Sequence, residues 1–164
     1  MKNTFFSKFT KLSMAFVLVC CFALSACKPE AEINENATVI GKWVDDSNCT
    51  YEITATSFKN YGEGWSAYEG NNLVINYTND DETAGYIYIK YTKAANPDWT
   101  YSETAPDVGK WYAIAFKNLT PKSIGISGAY KADGVTATTT LEEAIDEFTI
   151  AKGYFATFTE AKKK

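Results

Sequence analysis

The segment Tyr86–Lys93 (YIYIKYTK) alternates strictly in character, and no other stretch of the chain limits the fold as sharply. Ile87, Ile89 and Tyr91 fall on one side of an extended chain, with Tyr86, Tyr88, Lys90 and Thr92 on the other. Successive side chains of a strand point to opposite faces, so the pattern predicts a half-buried antiparallel strand. Leu73–Asn79 repeats it, with Leu73, Ile75 and Tyr77 sharing a face, and Asp80–Gly85 between the two runs predicts a hairpin loop. Short runs rich in Tyr, Val, Ile, Thr and Trp predict further strands. They lie at Thr38–Val44, Cys49–Thr54, Ser57–Tyr61, Trp65–Glu69, Lys110–Lys117, Ser123–Ala129 and Gly153–Thr159. Cys49–Thr54 and Ser57–Tyr61 read as two strands or one bent one, and Gly70-Asn71-Asn72 reads as a turn. Ala94–Gly109 reads as a long polar loop carrying Trp99 and Tyr101.

One helix interrupts the series. Thr140-Leu141-Glu142-Glu143 has the spacing of a capping box, and Leu141, Ala144, Ile145 and Phe148 recur as one apolar stripe. A helix this short is not stable alone and must pack on the sheet. About eight strands and one late helix predict a mainly β fold. A sheet of that size avoids free edges by closing into a barrel or pairing as a sandwich.

The N-terminal residues read as an address. Met1–Lys11 carries Lys2, Lys8 and Lys11 and no acid, and Met14–Ala26 is an apolar run of 13 residues. That suits the core of a signal peptide and is shorter than the roughly 20 residues a spanning helix needs. Leu24-Ser25-Ala26-Cys27 resembles the bacterial lipobox. The resemblance implies cleavage after Ala26, a diacylglyceryl group on Cys27 with or without a further N-acyl chain, and attachment to a membrane through that lipid. Lys28, where an aspartate would imply retention at the inner membrane, favours the outer membrane of a bacterial envelope. The expected organisation is therefore a signal peptide at 1–26, the lipidated Cys27 with a flexible tether at 27–37, a β-barrel domain at 38–160 and a frayed basic tail at 161–164.

Composition narrows the chemistry. The chain has 164 residues, the size of one domain, and a net charge of −4. Cleavage removes three lysines, leaving 13 against 20 acids, a net −7. An acidic surface is the wrong sign for nucleic acid. Histidine and arginine are both absent, which excludes a Ser-His-Asp triad, His-ligated metal and a guanidinium clamp. Glu52, Glu63, Glu69 and Asp98 are enough in number for a carboxylate pair, but nothing in the sequence fixes their spacing. Asp80-Asp81-Glu82 could offer oxygens to calcium but reads as a solvated turn. The chain is read as non-enzymatic, with no catalytic or metal-binding residues and no cofactor beyond the lipid on Cys27. Cys49, the one thiol left, reads as buried and inert.

Gly41-Lys42-Trp43 on the first predicted strand is similar to the G-x-W signature that opens lipocalins and related calycin barrels, and Gly109-Lys110-Trp111 repeats it. The resemblance implies an antiparallel lipocalin-like β-barrel in which Trp43 closes the bottom and Gly41 lets chains approach. Lipocalins usually stack an arginine of the last strand on that tryptophan, and this chain has none. The Arg-x-Tyr clamp of fatty-acid-binding barrels is missing too. The chain also resembles small lipoproteins of unassigned function from host-associated spirochaetes such as treponemes. The segments concerned are Tyr68-Glu69-Gly70, Gly85–Tyr91, Leu141–Ala144, Glu147-Phe148-Thr149 and Gly153-Tyr154-Phe155.

Aromatics near turns and on the long loop are the candidate ligand contacts: Trp65, Tyr68, Trp99 and Tyr101. At a barrel mouth such rings stack on sugars or cover an apolar ligand. The expected role is binding of a small apolar or sugar-like ligand. The alternative is a surface interaction protein for a host or envelope macromolecule, its interior packed by Leu73, Ile75, Ile87, Ile89 and Phe116.

Overall fold

The computed structural model describes residues 37–164. The expected signal peptide, the expected cleavage site after Ala26, Cys27 and the expected tether up to residue 36 lie outside the described residues. Nine strands follow in chain order: β1 Gly41–Asp45, β2 Thr50–Ile53, β3 Ser57–Gly62, β4 Trp65–Tyr77, β5 Gly85–Ala95, β6 Tyr101–Ser102, β7 Trp111–Lys117, β8 Ser123–Gly128 and β9 Thr159–Lys163. One helix, α1 Leu141–Glu147, lies between β8 and β9. Eight strands form a closed ring in the order β1-β2-β3-β4-β5-β7-β8-β9, and β9 returns to β1. Every pairing is antiparallel, and β6 is a short ribbon on the end of β5. This is the closed lipocalin-like barrel that the sequence predicts.

Alternation sets what faces inward. Ile87, Ile89 and Tyr91 of β5, Tyr112, Ile114 and Phe116 of β7, and Ile124 and Ile126 of β8 fill one continuous core. The opposite face of β5 and β7 is not solvated. Tyr88, Ala113 and Ala115 are buried beneath α1 and the segment that follows it, with Ala144, Phe148, Tyr154 and Phe155. Alanines at 113 and 115 leave room for a helix to approach the wall. The capping box forms as read: Thr140 Oγ1 accepts from Glu143 N at 3.2 Å, and Glu143 Oε2 accepts from Thr140 N at 3.1 Å. Ala144 and Phe148 carry the buried stripe, whereas Ile145 is exposed.

Two expectations are corrected. Gly70-Asn71-Asn72 is not a turn, because β4 runs unbroken through it. The register against β5 shifts after Glu69 and again before Val74, and Asn72 adopts φ 54°. The triplet is a bulged stretch of strand. A side chain at Gly70 would lie 2.8 Å from the Ile89 side chain, so the residue marks close approach, not reversal. The bend lets the first half of β4 pair with β3 while its second half pairs with β5.

The second correction concerns the C-terminus. Gly153–Phe158 is irregular, and the expected basic tail at 161–164 is most of the last strand. Ala161, Lys162 and Lys163 oppose Asp45, Val44 and Trp43, while Ala161 and Lys162 also oppose Ile124 and Ser123. Ala161 is buried between charged neighbours. Lys162 projects into solvent, and Lys163 lies at the end of the barrel beside Trp43, so a charged run sits in a strand without burying charge.

Closure depends on the floor around Trp43. Its side chain is fully buried and its Nε1–H donates to Val39 O at 2.9 Å. Lys163 Nζ lies 5.1 Å from the centre of its ring. A lysine of the last strand thus occupies the place that the lipocalin resemblance gives to an arginine. Gly41 has φ 151°, a backbone conformation that favours glycine, and the end of the Lys163 side chain lies close over it, with Cε 3.0 Å from where a Cβ would stand.

Deleting residues 161–164 removes every pairing between β9 and β1. We expect the midpoint of thermal unfolding, followed by circular dichroism, to fall by about 10 °C or more, or cooperativity to be lost. An unchanged midpoint would restore the frayed tail.

Candidate functional site at the barrel mouth

The ends of the barrel differ because the connections differ. Short links at residues 54–56, 78–84 and 118–122 lie at the Trp43 end, whereas the long connections 96–110 and 129–158 lie at the other. Inward residues toward the floor are mostly aliphatic or phenylalanine, with Trp43 in the floor and Tyr77 packed edge-on against Phe116. One level higher, adjacent strands each contribute a tyrosine: Tyr68 from β4, Tyr91 from β5 and Tyr112 from β7. Tyr91 stacks on Tyr112 with ring centres 4.8 Å apart. Tyr68 meets Tyr112 edge-on at 5.3 Å and stacks on Phe58 at 5.5 Å. These rings form the base of a cavity of about 550 Å³, in the size range of small-molecule sites.

The rim comes from two loops. Tyr130 and Val135 stand on one, and Trp99 and Tyr101 on or beside the other; Trp99 is 70% exposed and Tyr130 65%. Trp99 has φ 65°, a left-handed conformation that a bulky residue rarely takes. Hydrogen bonds hold it there. Asn96 N donates to Thr100 O at 2.7 Å, Trp99 N donates to Asn96 O at 2.9 Å, and Asp98 Oδ1 accepts from Thr100 N at 3.1 Å. Such conformations persist where surrounding structure fixes them, and they concentrate at ligand-binding sites.

The two loops are tied together. Thr136 Oγ1 donates to Asp107 Oδ2, and Lys110 Nζ lies 2.8 Å from Asp107 Oδ1. Burial opposes ionisation of Asp107, but the Lys110 and Thr136 hydrogen bonds outweigh it and hold the carboxyl below its usual range. Tyr154 pins the second loop from beneath, accepting from Val135 N at 3.0 Å and donating to Glu147 Oε1 at 2.6 Å.

The tyrosine base of the cup is uncharged, and the charged residues of the described wall are Asp107 and Lys131. Burial pushes the phenols of Tyr68, Tyr91 and Tyr112 up, so all three remain uncharged donors near neutral pH. Tyr112 donates to Ala129 O at 3.1 Å. Gly128 makes room for the hydroxyls, since a Cβ there would lie 2.6 Å from Tyr112 Oη and 3.2 Å from Tyr68 Oη.

Of the four predicted contacts, Tyr68, Trp99 and Tyr101 come together here and Trp65 does not. Trp65 sits outside the cup with its indole against Gly62, in a shallow polar groove with Glu52, Lys59 and Glu69. Tyr91, Tyr112, Tyr130 and Val135 were missed. Tyr91 and Tyr112 carried a legible signal, being aromatics at the mouth end of inward-facing alternation. Tyr130 and Val135 had none, since loop folding alone brings them to the rim. Cys49 is only half-buried. Burial pushes its thiol up, away from the reactive thiolate, and Sγ accepts from Asn60 Nδ2 at 2.9 Å. The interior is neither all hollow nor all filled: Ile87, Ile89 and Phe116 pack the lower half, with Leu73 and Ile75 partly buried against them.

Comparison with known proteins finds no matching family model, and no match to a curated protein or a solved structure. The functional reading therefore rests on the geometry of the cup.

Proposed function

We propose that the chain is a lipid-anchored protein of the bacterial envelope that binds a small apolar or sugar-like ligand in the aromatic cup. The observation that carries this reading is the cavity of about 550 Å³, based on three tyrosines of adjacent strands and rimmed by exposed Trp99, Tyr101 and Tyr130. A merely structural barrel has no use for large rings held open to solvent at one end, whereas aromatic rings on a rigid wall offer flat area at little entropic cost. The anchor is supported by the ordered signal ending in Leu24-Ser25-Ala26-Cys27. The absence of arginine directs the reading away from a fatty acid held by its carboxylate.

Both halves are testable on the full chain. In nanodiscs, with empty discs as the partition control, calorimetric titration with phenyl β-glucoside and with 2-methylnaphthalene should show saturable binding of at least one. Trp99→Ala should weaken that binding by about tenfold, and Trp65→Ala should leave it unchanged. Saturable binding of neither probe would refute the carrier reading. Cells fed an alkyne fatty acid should label the wild-type chain and not Cys27→Ala. Equal labelling of the two would end the anchor proposal.

A further inference from the structure

Of the three tyrosines at the cup's base, Tyr68 and Tyr91 leave their hydroxyls without a hydrogen bond among the described residues, and Tyr68 is the one whose oxygen stands beside Gly128. Its ring is fixed on two sides, stacked on Phe58 with 4° between the planes and edge-on to Tyr112. Its hydroxyl therefore cannot swing to another place without breaking both contacts. Tyr112 satisfies its own hydroxyl on Ala129 O. The Tyr68 hydroxyl makes no hydrogen bond within 3.5 Å among the described residues, although it belongs to the cavity wall. No side-chain polar atom of the described residues is both sealed from solvent and unpaired, so the Tyr68 oxygen keeps open surface. Water can pair with this oxygen while the cup is empty, and a ligand oxygen that takes the water's place keeps the hydrogen bond, whereas an apolar group there would forfeit it.

The charges of the cup limit what that atom can be. Asp107 is engaged by Lys110 and Thr136, and Lys131 Nζ lies over the Tyr154 ring at 5.6 Å. No other charged side chain lines the described wall, and the chain has neither arginine nor histidine. A carboxylate or phosphate carried down to the three neutral tyrosines would lose its hydration there, and Lys131 of the rim loop is the one lining cation it could meet. A hydroxyl or carbonyl oxygen would meet a phenol that remains protonated.

We propose that the ligand enters the cup with an uncharged hydroxyl- or carbonyl-bearing end leading, that Tyr68 Oη recognises this end by a hydrogen bond, and that the flat apolar remainder lies against the rim aromatics. This rests on the carrier reading and names its ligand class: neutral amphipathic molecules with a ring, of the kind represented by phenols, sterol-like alcohols or glycosides.

A matched probe set separates the two levels of the claim. The full chain in nanodiscs is titrated calorimetrically with 2-naphthol, 2-methylnaphthalene and 2-naphthoate, against empty discs. The expected result is that 2-naphthol binds about five- to tenfold more tightly than 2-methylnaphthalene, and that 2-naphthoate binds more weakly than either. Tyr68→Phe keeps the ring and its stacking, so it should retain 2-methylnaphthalene affinity and erase the preference for the hydroxyl. Unchanged circular dichroism would show that the variant folds. Equal affinity for 2-naphthol and 2-methylnaphthalene, a preference for 2-naphthoate, or an undiminished hydroxyl preference in Tyr68→Phe each overturns the Tyr68 assignment while leaving the carrier reading standing. Saturable binding of none of the three overturns the Tyr68 assignment, and the carrier reading falls with it where phenyl β-glucoside also fails to bind.

Discussion

The return of β9 to β1 is the contact on which the rest of the structure depends. An open eight-stranded sheet would present two edges and would have no inside. Here Lys163 opposes Trp43 across the closing pair, Lys164 N donates to Lys42 O at 2.9 Å, and Lys163 N donates to Lys122 O at 2.9 Å on the other flank. Trp43 is both plug and wall, with its indole N–H satisfied by Val39 O so that nothing polar is stranded in the floor. Gly41 supplies the clearance that the lysine stem requires. The cation–π contact is worth roughly 0.5–1 kcal/mol at an exposed position. Its value lies less in that energy than in fixing the register of the last strand.

Closure at one end shapes the other. Aliphatic and phenylalanine side chains fill the lower barrel, and the helix layer behind β5 and β7 makes that wall thick and rigid. Phe148 of this layer lies edge-on to Tyr112 at 6.0 Å, so the outer packing braces the base of the cup. Above the tyrosines the strands contribute no further bulk. Two long connections then fold over the opening, joined by the Asp107–Thr136 contact and held from below by Tyr154. A rigid base beneath a rim of exposed rings is an arrangement that selects by shape and by a few placed hydroxyls.

Most of the barrel was legible in the sequence, because period-two alternation is a direct record of one buried face. Ile87, Ile89 and Tyr91 point inward as their spacing predicts, and the Thr140–Glu143 cap starts the helix where the motif places it. The failures have physical causes. Gly70-Asn71-Asn72 has the residues of a turn because bulges and turns both need backbone freedom. The last strand was hidden because its single buried residue, Ala161, is small and stands among charged neighbours. The placement of Lys163 over the Trp43 ring could not be read from composition, which showed only that arginine was missing. In the cup, Tyr68, Trp99 and Tyr101 were found by their residue type, and Trp65 was grouped with them because sequence proximity to Tyr68 does not reveal which side of the wall a residue occupies. Tyr130 and Val135 become neighbours of Trp99 only through loops whose paths are set by tertiary contacts.

The central claim is that the C-terminal lysines close the barrel over Trp43. The most direct measurement is the nuclear magnetic resonance spectrum of the folded chain around these two residues. Nuclear Overhauser contacts are expected between the Trp43 indole protons and the side-chain methylenes of Lys163, with those methylenes shifted upfield by the ring current. Random-coil shifts for Lys163, with no contact to Trp43, would contradict it.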